Sequence, residues 1–257
     1  VEPLPAVAHR DTAVTGTLLA VGDTQLHVVR DGSGPPLLFL VGLGGRAEFW
    51  GGQIARFRDR FDCLSFDHRA TGDSVPSDVK QTVRVLAEDA LALLDRLGIE
   101  RAHIVGHSLG GAIVQHIAVS APDRVGKLVL SATWAGPTPF FEGLFALRKQ
   151  VLRQCGPEAY MLQGTLLGTP GWHTAKDFAA VEAGIAARMA AFAGIDIEMD
   201  RMDAVTGHDL RARVSEIRAE TLVVCARDDQ ITLLPLSEEL ARLIPGARLH
   251  VLDKGNH

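Results

Sequence analysis

Several things are scarce in this sequence, and each scarcity excludes something. The 257 residues hold three cysteines, Cys63, Cys155 and Cys225, which cannot all pair. Two of them sit in apolar strand-like runs, so the expectation is buried, reduced thiols in a cytoplasmic protein, and their spacing fits no metal site. No apolar stretch is long enough to span a bilayer and no charged-then-apolar leader opens the chain, so no membrane association is expected. The net charge of −5 has no run of like charges behind it, and no nucleic-acid motif occurs, so neither nucleic acid nor an anionic surface is expected as a partner. Internal repeats and low-complexity segments are missing as well.

What is present is enough apolar material, 47% of 257 residues, for one large α/β domain with an insertion. After a leader, residues 17–20 and 24–30 read as an antiparallel hairpin around Gly22-Asp23, the second strand alternating Leu26 and Val28 with Gln25 and His27. Residues 37–41, Leu-Leu-Phe-Leu-Val, form an unbroken apolar run of the kind covered on both faces of a sheet. A helix over 47–57 and a strand over 63–66 follow, the strand ending at Asp67. From 82 to 97 the apolar positions fall on one helical stripe closed by Gly98. A strand ending near Gly106, a helix to about residue 121, and a strand over 125–132 continue the alternation, which implies a mostly parallel, right-handed wound sheet. Residues 134–215 break the pattern with helical stretches and no strand-like run, and read as a helical cap over the sheet's ligand end. The core, 1–133, then resumes over 216–257 with a strand at 221–226, a helix at 234–243 and a strand at 248–252.

Chemistry concentrates in Gly106-His107-Ser108-Leu109-Gly110, a G-x-S-x-G between a strand and a helix. Such an elbow forces its central residue into a strained backbone conformation and presents the hydroxyl beside a helix N-terminus, where free N–H groups favour negative charge. Serine needs a base, and the base an acid to orient it. Asp228 and Asp229 follow the 221–226 strand and His257 follows the last one, giving the order Ser, Asp, His; Asp229 is favoured over Asp228. His107 precedes the serine and is expected to project away from its hydroxyl. The oxyanion donors expected are Leu109 N–H, directly after the nucleophile, and Leu43 N–H in the glycine turn after 37–41. Gly42, Trp134, Phe140, Phe141, Phe145 and Trp172 are the candidate pocket residues, and Arg46 is a candidate for a substrate carboxylate, set against a solvated role.

A competing reading belongs to another class. Gly42-Leu43-Gly44-Gly45-Arg46-Ala47 also satisfies G-x-G-x-x-A after a strand, and Asp67 lies about twenty residues on, the spacing of a dinucleotide site in an NAD(P)-dependent oxidoreductase. The preceding hairpin and the downstream Ser, Asp, His order count against it.

Taken together, Gly42 to Gly45 with Trp50, the loop from Asp67 to Ser74, the Gly106 to Gly111 elbow, Ala226 to Ile231, and Gly255-Asn256-His257 resemble the α/β-hydrolase family. Within it the chain is most similar to the aminoacrylate hydrolase of pyrimidine breakdown and to 3-oxoadipate enol-lactonases. The resemblance implies a serine hydrolase acting on a small ester, lactone, enamine or amide through an acyl-enzyme, with no metal or organic cofactor and a small-molecule substrate as partner; a homodimer is compatible with it. It also admits C–C cleavage, cofactor-free oxygen chemistry, and a ligand-binding scaffold without turnover. Ser108 in place of an aspartate argues against dehalogenase or epoxide-hydrolase chemistry. Departures are Val41 where relatives carry a histidine, Ala70 where they carry glycine, and a chain that stops at His257 before the helix that follows it in the family; truncation of a longer polypeptide is the expectation there.

Overall fold

The computed structural model describes residues 16–257, so nearly all of the leader lies outside the described residues. Strands β1 (Thr17–Val21) and β2 (Thr24–Gly32) form the expected hairpin, Val21 facing Thr24 across a turn in which Gly22 takes φ 57°. The chain continues through β3 (Pro36–Leu40), α1 (Gly51–Phe57), β4 (Asp62–Phe66), α2 (Val83–Arg96), β5 (Ala102–His107), α3 (Leu109–Ser120) and β6 (Val125–Ser131). Helices α4 (Pro139–Gly168), α5 (Gly171–Thr174), α6 (Phe178–Ala190) and α7 (Ile195–Thr206) come before β7 (Glu220–Ala226), α8 (Leu234–Leu243) and β8 (Arg248–Leu252). The eight strands make one sheet in the order β1-β2-β4-β3-β5-β6-β7-β8, antiparallel at β1, β2 and β4 and parallel from there on.

That order places the site. The chain leaves β3 for β4 on one side and returns to β5 on the other, so the carboxyl ends of β3 and β5 flank a crevice where the winding reverses. Leu40 pairs with Gly106 at that edge, which brings the glycine turn after β3 against the elbow after β5. The apolar runs explain the burial: Leu38, Phe39 and Leu40 of β3 and Leu64 and Phe66 of β4 are all but inaccessible. Helix α2 turns Leu86, Ala90, Leu93 and Leu94 to the core, is capped by the Thr82 hydroxyl accepting from Val85 N–H, and ends where Gly98 goes left-handed.

One local reading changes. The helix expected over 47–57 is a 3₁₀ turn, Ala47–Trp50, running into α1, because Arg46 is extended and the four residues after it carry the chain round the tight exit from β3. Helix α4 bends at Gly156, φ 86°, where Pro157 cannot donate an N–H to continue the ladder. Among the described residues no single helix is long and apolar enough to cross a membrane.

Candidate active site

Ser108 sits between the last residue of β5 and the first of α3 with φ 55° and ψ −121°, a conformation a side chain adopts only when its surroundings impose it. Tight packing imposes it here. A Cβ at Gly106 would stand 2.5 Å from the Gly110 carbonyl oxygen, and one at Gly110 would stand 2.2 Å from that of Leu40, so strand, turn and helix approach one another as only glycine allows. The backbone is tied on both sides: Ser108 N–H donates to Ser131 O at 2.9 Å, and its own carbonyl accepts from Gly111 N–H and from the Thr133 hydroxyl, each at 2.9 Å.

Three side chains from three strand ends meet at this point. His257 Nε2 lies 2.9 Å from Ser108 Oγ, and His257 Nδ1 lies 2.8 Å from Asp229 Oδ2. Of the two aspartates, it is Asp229 that reaches the imidazole. Asp228 instead accepts from the N–H groups of Gly255 and Asn256, both at 2.8 Å, and thereby holds the turn that carries His257. Asn256 completes that turn with φ 57° and accepts from Gln230 N–H through its side chain. Asp229 is 3% exposed and its Oδ1 accepts from Ile231 and Thr232 N–H, each at 2.8 Å, while the Thr232 hydroxyl donates to Oδ2 at 2.8 Å. Burial alone would raise this carboxyl; the hydrogen bond and charge of His257, with the Ile231 and Thr232 donors, outweigh it and hold the pKa below the ordinary carboxylate value. An ionised Asp229 accepts Nδ1–H, which leaves Nε2 free to accept the serine proton. Nothing in the sequence pattern singled out Thr232, whose role depends on a turn that closes only in three dimensions.

The glycine turn after β3 is braced from the loop after β4. His68 Nε2–H donates to Val41 O at 3.0 Å, His68 N–H donates to Gly45 O at 3.0 Å, and Ala47 N–H donates to Asp67 Oδ1 at 2.6 Å. A Cβ at Gly45 would fall 1.9 Å from the His68 ring, so the brace requires glycine there. His68 therefore anchors the turn through the Val41 carbonyl. Ala70 keeps the left-handed backbone of the glycine it replaces, φ 53°, and its carbonyl accepts from Arg201 Nη2 at 2.6 Å. Asp67 is fully engaged: besides Ala47, it accepts from Asp73 N–H and pairs with His27, and it is 2% exposed. A carboxylate so used cannot hold a ribose, which removes the acidic half of the dinucleotide reading. Among the described residues, the N–H groups of Leu43 and Leu109 have no hydrogen-bond acceptor.

A cavity of about 640 Å³ opens above Ser108 and His257, walled by Gly42, Leu43, His107 and Phe49 below and by residues of α4, α6 and α7 above. The aromatic expectations divide. Phe145 lines the cavity, as does Gly42. Trp134 and Phe141 do not: they stack on each other at 4.7 Å and are sealed in the core, 1% and 0% exposed. Phe140 and Trp172 face solvent at 50% and 61% exposure, Phe140 because one residue along a helix turns a side chain about 100° away from its neighbour, and Trp172 because the short α5 lies at the surface under Lys254. Arg46 reaches the cavity rim but pairs with Glu48 at 3.1 Å. His107 hydrogen-bonds Ser131 Oγ at 3.3 Å, stacks on Phe49, and packs its ring 4.8 Å from that of His257. Burial, reinforced by the charge of His257, pushes its pKa down to about 3, so the wall beside His257 stays neutral. Arg148, Tyr160, Glu198 and Arg201 also line the cavity and were not foreseen, since which face of an inserted helix looks inward is not set by its own sequence.

The family model for the α/β hydrolase fold matches residues 35–154. A protein of Azorhizobium caulinodans provisionally named carbamate hydrolase RutD is 36% identical over 92% of this chain and 89% of its own length, and one of the same name from Pseudomonas savastanoi is 34% identical over 91% and 90%. Among solved structures, a hydrolase from Pseudomonas aeruginosa superposes with a TM-score of 0.85 at 31% identity, covering 95% of this chain and 92% of that one. The enol-lactonase of Burkholderia xenovorans superposes with a TM-score of 0.81 at 26% identity, covering 93% and 92%. A sheet wound around a glycine turn and a serine elbow, with relatives matched along nearly its whole described length, places the chain in the α/β-hydrolase family, and it is a hydrolase.

Proposed function

We propose that this hydrolase cleaves a small carbonyl substrate, an ester, lactone, enamine or amide-like carbamate, through an acyl-enzyme formed on Ser108. The observation that carries the reading is the continuous hydrogen-bonded line from Ser108 Oγ through His257 to Asp229, with 2.9 and 2.8 Å links. In this mechanism His257 Nε2 takes the hydroxyl proton as Oγ attacks the carbonyl carbon, and Asp229 holds the imidazole in the required tautomer and stabilises its cation. The free Leu43 and Leu109 N–H groups receive the oxyanion, each contributing about 2.7–4 kcal/mol to lowering the barrier. His257 then returns the proton to the leaving group, and water, activated by the same imidazole, releases the acid and restores Ser108. The helices between β6 and β7 act as a cap that encloses the substrate, and the names of relatives, carbamate hydrolase and enol-lactonase, put carbamates and enol-lactones first among the compounds to try.

The test is Ser108→Ala against wild type on a panel of p-nitrophenyl esters, lactones, enamines and carbamates, with circular dichroism to show that the variant folds. Loss of turnover by the folded variant is expected; hydrolysis at the wild-type rate overturns the assignment. Stoichiometric ligand binding without turnover of any panel member would instead favour a binding scaffold.

A further inference from the structure

One buried charged side chain in the cavity wall has no counter-charge. Arg148, on α4, is 6% exposed, lines the same cavity as Ser108 and His257, and forms no ion pair with any described residue; its polar neighbour is the Tyr160 hydroxyl, and its Nε is inaccessible and unsatisfied. The guanidinium lies over two rings instead, 4.7 Å from the centre of Tyr160 and 5.7 Å from that of Phe145. Neighbouring polar groups are already committed elsewhere. The Tyr160 hydroxyl donates to Glu198 Oε1 at 2.7 Å, and Glu198 Oε2 accepts from Arg201 Nη1 at 2.7 Å. Arg201 Nη2 is taken up by Ala70 O and by Thr71 Oγ1, at 2.6 and 2.5 Å. Glu198 is thus neutralised by Arg201, and the positive charge of Arg148 is left over. The wall beside it is also kept clear, since a Cβ at Gly164 would stand 3.0 Å from Arg148 Nη2. A buried guanidinium without a counter-charge destabilises a fold, and a carboxylate that meets its fork with two parallel hydrogen bonds removes that penalty.

We infer that Arg148 is the anion subsite of this hydrolase, and that its substrate is a short acyl compound bearing a carboxylate in addition to the carbonyl attacked. The inference rests on the Ser108 reading above and adds the substrate's charge to it. Contact with the Phe145 and Tyr160 rings restrains the guanidinium, so the subsite selects a carboxylate at a set distance from the nucleophile. The anchored substrate is oriented before attack, which is where such a contact gains its effect.

The experiment compares mono-p-nitrophenyl malonate, succinate and glutarate with neutral acyl esters of equal chain length. In wild type the best anionic ester should exceed its neutral counterpart in kcat/KM by about tenfold to a hundredfold, the value of a charge-assisted hydrogen bond. Arg148→Met should bring that ratio to unity or below, and Arg148→Lys should restore part of it. Free succinate should inhibit wild type competitively and Arg148→Met only weakly. The inference is overturned if wild type prefers the neutral ester of every pair, or if Arg148→Met keeps the anionic preference. Should Arg148→Met fail to fold, the wild-type ratio and Arg148→Lys decide. A missing preference with Ser108-dependent turnover overturns the subsite alone; turnover that survives Ser108→Ala overturns the nucleophile.

Discussion

Acid should unfold this protein by way of three histidines held neutral around the site, His68 and His208 buried and His107 half-buried in the cavity wall. His68 braces the glycine turn, His107 walls the cavity beside His257, and His208 lies edge-on to Trp134 at the base of the inserted helices. Burial lowers all three, His107 to about 3 and His208 to about 4 from an ordinary 6.5, His68 in the same direction. The unfolded chain therefore binds more protons than the native one throughout the interval between the native values and 6.5, and stability must rise with pH across it. The stabilisation is complete above 6.5 and drains away as the pH falls towards the native values. At pH 5 an unfolded histidine of pKa 6.5 gains about 2 kcal/mol from protonation that native His107 or His208 does not, so the pair removes about 4 kcal/mol, and His68 adds to the loss. Against a total of about 5–15 kcal/mol for a folded domain, that is a large fraction. Urea unfolding at constant ionic strength, followed by circular dichroism at pH 7.5 and pH 5, measures it directly. His208→Gln should recover about 2 kcal/mol of the difference between the two pH values, whatever it does to stability at either one. A wild-type difference under about 1 kcal/mol would refute the reasoning, because two histidines held neutral cannot coexist with so flat a profile.

Two further outcomes follow from the geometry of the site. A methyl group at position 42 would fall 2.9 Å from Ser108 Cβ and 3.4 Å from Oγ, so Gly42→Ala should lower kcat/KM by about a hundredfold or more, as expected when an oxyanion donor or the nucleophile is displaced, while thermal unfolding moves little. Thr232→Val keeps the volume of a side chain that is fully buried but deletes the hydroxyl donor to Asp229; thermal unfolding should report a loss of about 1.5–3 kcal/mol, with kcat reduced more than KM.

What the sequence makes legible is whatever the chain decides locally. The run at 37–41 is apolar without alternation because both faces of its strand are covered, that at 221–226 has one face covered and the other partly so, and the ends of both could be located to within a residue or two. Ser108, Asp229 and His257 are readable for the same reason: each lies in the turn that follows a strand, and parallel strands bring their carboxyl ends to one edge. Leu43 and Leu109, the proposed oxyanion donors, are read from backbone position alone. The inserted helices obey no such rule. Phe140, Phe141 and Phe145 are equivalent as letters, and only the rotation of α4 against the sheet sends one to solvent, one to the core and one to the cavity. Arg148 is invisible for the further reason that its meaning is the lack of a counter-charge, which no single segment encodes.

The groups that escaped the sequence reading are also linked to one another. From Val41, whose carbonyl His68 holds, the chain runs through residues 68–71 to Ala70 O and Thr71 Oγ1, both bonded to Arg201 of α7. Arg201 leads through Glu198 to the hydroxyl of Tyr160, and the face of Tyr160 carries the Arg148 guanidinium. The turn that offers Leu43 N–H and the inserted helices that close over the cavity are thus joined by a buried polar path rather than by apolar contact alone. Polar paths of this kind resist sliding, because any shift strands a buried donor or acceptor. The proposed anchor on α4 and the proposed oxyanion donor after β3 are held in one frame, and that is the condition under which binding a distant carboxylate would fix the position of a carbonyl at Ser108.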